Sequence, residues 1–195
     1  MIIRSLRIGA AAGALLALAA CAGIKAVPAG PYVHGGTSMT VGRTWTDLGL
    51  VPGSPKALRM LTIDGPALNT LFVIDGLKDG EYIVRATSKE RPTPTYRRGI
   101  SPSEQVEFLA DSTAAIGFQR VETDNIRPVT VSGVDGVRVD LTAQTAAGLN
   151  VSGTAQLVEV GGRLYILFYV APTEHYFEAT RAEVEAIMGS AKITG

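Results

Sequence analysis

Chemistry in this chain has few places to start. Its 195 residues include one cysteine, Cys21, and two histidines, His34 and His175. A single thiol can form no disulfide within the chain and supplies too few ligands for a Cys-based zinc site. A hydrolase of the Ser-His-Asp kind needs a positioned imidazole as its base. His34 lies in a stretch rich in Gly and Pro, where an exposed side chain is the simplest reading, and that leaves His175. Glu174 and Glu178 flank it, and Glu178 is close enough to contact it along a helix. Those residue types suit an acid–base or metal pair, and equally a polar cluster at a helix start; the second is the simpler reading. No G-x-S-x-G elbow, no Walker loop and no G-x-G-x-x-G between a strand and a helix is present. Asp75, Asp79 and Glu81 lack the spacing of an EF-hand loop, and turn chemistry accounts for the aspartates. The chain reads as non-catalytic, with no catalytic residue, metal or cofactor assigned.

Binding chemistry has two candidate sources. Residues 88–100 hold two prolines and the cations Lys89, Arg91, Arg97 and Arg98, which suit anionic headgroups or a phosphate-bearing ligand, or form a solvated loop. The run 164–169 carries Tyr165, Phe168 and Tyr169, either a ligand wall or core. The candidate ligand or partner surface is therefore Arg97, Arg98, Tyr165, Tyr169, His175 and Glu178. Nucleic acid is not expected: 18 basic residues balance 18 acidic ones, whereas nucleic-acid affinity rests on neutralising phosphates.

Cys21 is the most informative of these residues. Ahead of it, residues 1–7 hold two arginines and no acid, and residues 8–20 are all apolar or small. A helix of that length rises about 20 Å, short of the ~30 Å hydrocarbon core, so it suits a cleaved signal better than a permanent span. The run ends in Leu18-Ala19-Ala20-Cys21, which resembles the lipobox of bacterial lipoproteins at all four positions. The resemblance implies diacylglycerol on the Cys21 thiol, cleavage before Cys21 and acylation of the new amino terminus. By the same likeness, Ala22 in place of Asp implies the outer membrane, facing the periplasm, in a two-membrane envelope. Two or three acyl chains make a stable tether, and committing Cys21 to lipid removes thiol chemistry from the domain.

The elements that must position these groups follow from periodicity. Residues 21–38, with two prolines and little periodicity, read as a flexible tether of up to ~55 Å. Residues 39–195 read as one domain, and a 46% hydrophobic content supports a substantial core without disulfides. Met39, Val41 and Trp45 fall on one face of a strand; further strands are predicted at 58–63, 69–74 and 81–86, separated by Gly-containing turns. Ser101, Pro102 and Glu104 start a helix with a capping box, Val106, Leu109, Thr113 and Ile116 share its apolar face, and Gly117 stops it. Strands at 118–123 and 127–132 lead to a turn at Val134-Asp135-Gly136. In 136–144, odd positions are apolar and even ones polar, a half-buried strand. Strands 151–160 and 163–171 flank a Gly161-Gly162 hairpin turn; the second is apolar on both faces and reads as central. A last helix carries Phe177, Thr180, Val184, Ile187 and Met188 on one face, with a Thr180–Glu183 capping box and a start near either Thr173 or Arg181.

Over about residues 100–193 this pattern resembles the PsbP-like domains: the capped helix, a strand, a hairpin turned at Gly161-Gly162-Arg163, the aromatic strand Leu164–Tyr169, then a helix ending in Ser190-Ala191-Lys192-Ile193. Residues 39–87 show no such likeness. The resemblance implies an α+β fold, an antiparallel sheet of meanders and hairpins flanked by two helices, and members that act mostly as accessory or assembly factors. Two functions are expected from the whole: a lipid-anchored, non-catalytic module that binds an envelope protein, or a small-molecule or lipid binder with its pocket between sheet and helices.

Overall fold

The computed structural model describes residues 23–49, 54–88 and 92–195. Cys21, Lys89 and Arg91 lie outside them. Eleven strands run in chain order: β1 Lys25–Val27, β2 Gly30–His34, β3 Thr37–Val41, β4 Trp45–Asp47, β5 Leu58–Thr62, β6 Thr70–Leu77, β7 Gln119–Val131, β8 Val134–Gln144, β9 Asn150–Val160, β10 Arg163–Pro172 and β11 Lys192–Ile193. Helix α1 spans Pro102–Ala115 and helix α2 Glu178–Gly189. Eight strands form one antiparallel sheet in the order β1-β4-β5-β6-β10-β9-β8-β7, and β11-β3-β2 form a second.

The alternation of β10 explains the layering. Its Ile166, Phe168 and Val170 point into a core shared with Val106 and Leu109 of α1. Its Leu167, Tyr169 and Ala171 point the other way, into a core with Val184, Ile187 and Met188 of α2 and with Tyr32, Met39 and Val41 of the small sheet. Successive side chains of a strand face opposite sides, so a strand apolar at every position must be covered twice. The fold is three layers deep: α1, the large sheet, then α2 with the small sheet.

The capping box of α1 forms as expected: the Ser101 hydroxyl accepts from the Glu104 N–H, and the Glu104 carboxylate accepts from the Ser101 N–H at 2.7 Å. The Gly161-Gly162 turn has positive φ at both residues, 58° and 74°, the geometry of a tight hairpin.

Four expectations are corrected. Residues 25–34 are not a flexible tether: β1 pairs with β4, β2 pairs with β3, and Val27 and Tyr32 are buried. Three- and five-residue strands broken by Pro28 and Gly30 are too short to show a period. Residues 81–86 form no strand, because both neighbours of β6 are already taken by β5 and β10. The segment instead crosses the sheet face, puts Ile83 into the α1 core and bonds through Tyr96 N–H to the Glu81 carbonyl. The strands expected at 118–123 and 127–132 are one long β7 with irregular register, and its turn lies at Ser132-Gly133, both at positive φ. Finally, α2 starts at Glu178 with no side-chain cap. Glu183 reaches across to accept from the Gly42 N–H at 2.7 Å and from the Trp45 indole at 3.3 Å, so tertiary contact takes the group that the capping box needed.

Candidate functional site

The residues singled out from the sequence do not converge. Tyr165 and Tyr169 are core: Tyr165 packs with Val131, Val158 and Ile193, and Tyr169, fully buried, stacks on Phe177 at 5.9 Å. Burial raises the pKa of both phenols. His175 and Glu178 sit at the bend before α2 but form no pair. His175 is exposed, edge-on to Tyr176 at 5.1 Å, and Glu178 pairs instead with Arg181 at 3.2 Å. The His175 backbone has φ 73° and ψ −62°, and this kink replaces the helical turn that the pairing required.

Arg97 and Arg98 are exposed near the start of α1. Arg97 lines an open depression of about 260 Å³ with Glu104, Glu107 and Asp111, three carboxylates that make it a poor anion site. The backbone N–H of Ser101, then its hydroxyl, hold the Glu104 carboxyl below its ordinary range. Among the described residues, no group of three or more His, Cys, Asp and Glu is placed to hold a metal ion, and no helix is long and apolar enough to cross a membrane.

Among the described residues, two gaps between layers are small. A gap between α1 and the sheet, beside Phe72, Leu109 and Phe168, has room for about 10 Å³. A second gap of the same size lies between the sheet and the C-terminal strand, beside Tyr165 and Ile193. Each holds at most one water, so neither is the ligand pocket expected between sheet and helices.

The structure instead shows a polar trough along β7, β8 and β9 beside the start of α2. One part, about 300 Å³, is lined by Arg120, Glu122, Gln144, Asn150, Ser152 and Thr173. A second, about 220 Å³, adds Asp124, Asp140, Thr154, Phe177, Arg181 and Glu185, and the two share Thr142 and Ser152. Strand register builds it. Arg138, Asp140 and Thr142 of β8 stand opposite Gln156, Thr154 and Ser152 of β9, so polar residues meet in rows on the α2 side of the sheet.

Asp140 is the centre of this surface. It accepts from Arg127 at 3.1 and 3.2 Å, from the Asn125 amide at 2.7 Å and from the Thr154 hydroxyl at 2.9 Å. Burial pushes its pKa up, but the hydrogen bonds from Arg127, Asn125 and Thr154 outweigh burial and hold it below its ordinary value. Arg138, mostly buried, reaches Glu185 of α2 at 2.8 Å. Read alone, the even positions of β8 look like an ordinary solvent face; the signal that marks the trough is the matching polar alternation of Ser152, Thr154 and Gln156 on the next strand. The trough offers donors and acceptors to an extended polar partner, and two of its carboxylates, Asp140 and Glu185, are already paired with arginines.

No protein-family model matches this chain, and no curated protein sequence matches it. Solved structures do. The cyanobacterial PsbP protein CyanoP from Synechocystis sp. PCC 6803 superposes with a TM-score of 0.54 at 12% identity, over 89% of this chain and 94% of that one. LpqN, described as involved in cell envelope biogenesis of Mycobacterium tuberculosis, gives a TM-score of 0.45 at 15% identity, over 88% of this chain and 92% of its own. The likeness to CyanoP reaches into the front half of the chain, where the sequence resemblance stopped. The chain has a PsbP-like α+β fold, an antiparallel sheet flanked by two helices.

Proposed function

We propose that this chain is an envelope lipoprotein, anchored through acyl chains on Cys21, whose domain is a non-catalytic interaction module for an envelope protein. The carrying observation is the run Leu18-Ala19-Ala20-Cys21 behind a basic and then apolar leader, placed directly ahead of a folded domain that opens at Lys25. The polar trough supports the interaction reading, because its carboxylates Asp140 and Glu185 are tied to Arg127 and Arg138 rather than set beside a nucleophile or base. The outer membrane is the proposed location, on the strength of Ala22.

Two measurements test this. Intact mass of the membrane-extracted protein should match cleavage before Cys21 plus acyl chains, and Cys21→Ala should leave the protein unacylated and released from the membrane fraction. Crosslinking in the native envelope should trap a defined heteromeric product that is lost when trough residues such as Arg181 and Asn150 are substituted. Monomer under every crosslinking condition would count decisively against the interaction module.

A further inference from the structure

The folded domain opens only four residues after Cys21, because β1 begins at Lys25. Fully extended, that stretch reaches at most ~14 Å, about twice the depth of one interfacial layer of a bilayer (~7 Å). If Cys21 carries the lipid, the domain has no room to stand away from the membrane, and the face nearest its first strands meets headgroups.

The next strands, β2 and β3, belong to the small sheet. Val33 of β2, 66% exposed, is one of the four large apolar side chains left exposed among the described residues. Across the small sheet, Val33 stands opposite Ser38, which stands opposite Lys192, while Pro31 stands opposite Thr40. Partners in register share a face, so the outer face of this sheet holds Pro31, Val33, Lys192 and two hydroxyl side chains, and by register no Asp or Glu. The other face points Tyr32, Met39 and Val41 into the core.

We propose that the outer face of the β2–β3–β11 sheet is the surface by which the anchored domain rests on the lipid bilayer. Exposed apolar side chains enter the interface, and lysines are drawn to anionic headgroups within a Debye length. Lipid is the occupant because the anchor lies within ~14 Å of β1, whose partner strand β4 holds Asp47 against Tyr32 of β2, and because the one charged side chain that the register sets on this face is Lys192. The proposal rests on the acylation of Cys21.

The test uses the full chain expressed in a host that processes lipoproteins, reconstituted into vesicles of phosphatidylcholine and phosphatidylglycerol. Acylated Cys21 has no free thiol, so an environment-sensitive probe can be placed uniquely at Val33→Cys or, as a control, at Ile126→Cys on β7, the opposite edge of the large sheet. The expected result is that vesicles shield the position-33 probe from an aqueous quencher at least about threefold more than the position-126 probe. Nitroxide-bearing lipids should quench only the former, and Lys192→Glu should reduce the shielding. Equal exposure of both probes on a protein whose mass confirms acylation overturns the seating and leaves the lipoprotein reading intact. A mass showing unmodified Cys21 overturns both.

Discussion

At the scale of single residues, two buried or half-buried carboxylates make testable claims. Asp140 accepts from three side chains on two strands, so Asp140→Asn should lower stability by about 1–2 kcal/mol near neutral pH. Its pKa is held below the unfolded value of about 3.9. The contribution is therefore complete above pH ~5 and disappears as pH falls through the depressed folded value. Urea titrations of wild type and D140N between pH 3 and 7 should show a gap that narrows below pH ~4; a gap that widens there would contradict the pairing. Asp47, buried beside the amino-terminal strands, accepts from the Tyr32 hydroxyl at 3.1 Å and from the Gly49 N–H at 2.8 Å. Tyr32→Phe removes one of these donors and should cost about 1 kcal/mol, read as a lower midpoint in chemical denaturation.

At the scale of elements, α1 and β10 illustrate opposite sources of stability. The start of α1 is decided locally by its capping box, and Ser101→Ala should cost about 1 kcal/mol. The α2 start has no such device, so Thr180→Ser should leave helix capping unaffected and act only through packing. In β10 the prediction concerns both faces. Ile166→Ala and Leu167→Ala open voids in different layers, yet each should cost about 2–4 kcal/mol, with the two effects measured by thermal or urea unfolding. A strand with a solvent face would show one large and one negligible loss. Residue 136 gives a backbone counterpart: a Cβ there would collide with the Leu157 carbonyl oxygen, so Gly136→Ala should cost about 1–3 kcal/mol through a strained β8–β9 ladder.

At the scale of the whole molecule, the decisive feature is the role of the first strands. Were residues 25–34 part of a tether, deleting them would leave the stability of the domain unchanged. They close one edge of the large sheet and one edge of the small sheet, and bury Val27 and Tyr32. Removing them should cost about 3–6 kcal/mol from those two side chains alone, a large share of the 5–15 kcal/mol that a domain of ordinary stability has. Circular dichroism melts of the deletion protein should show a sharply lowered midpoint, and an unchanged melt would restore the tether. The same integration leaves three residues between Cys21 and β1, the spacing on which the proposed seating at the lipid surface rests.

Much of the architecture was legible in local pattern. The capped α1, the alternating β8, the doubly apolar β10 and its Gly161-Gly162 turn each carry their signal within about ten consecutive residues, because period and cap chemistry are properties of adjacent side chains. The apolar run 8–20 and the Leu18–Cys21 run that ends at the cysteine are likewise matters of sequence alone. What only the tertiary structure decided depends on partners far along the chain: β1 and β2 enter sheets through β4 and β3, and Glu183 turns from a cap to a clamp on Gly42 and Trp45. The polar trough belongs to this second class. Asp140 and Thr154 are fourteen residues apart, and only the β8–β9 register sets them opposite each other, since strand pairing is fixed by the burial of a whole face rather than by any one residue.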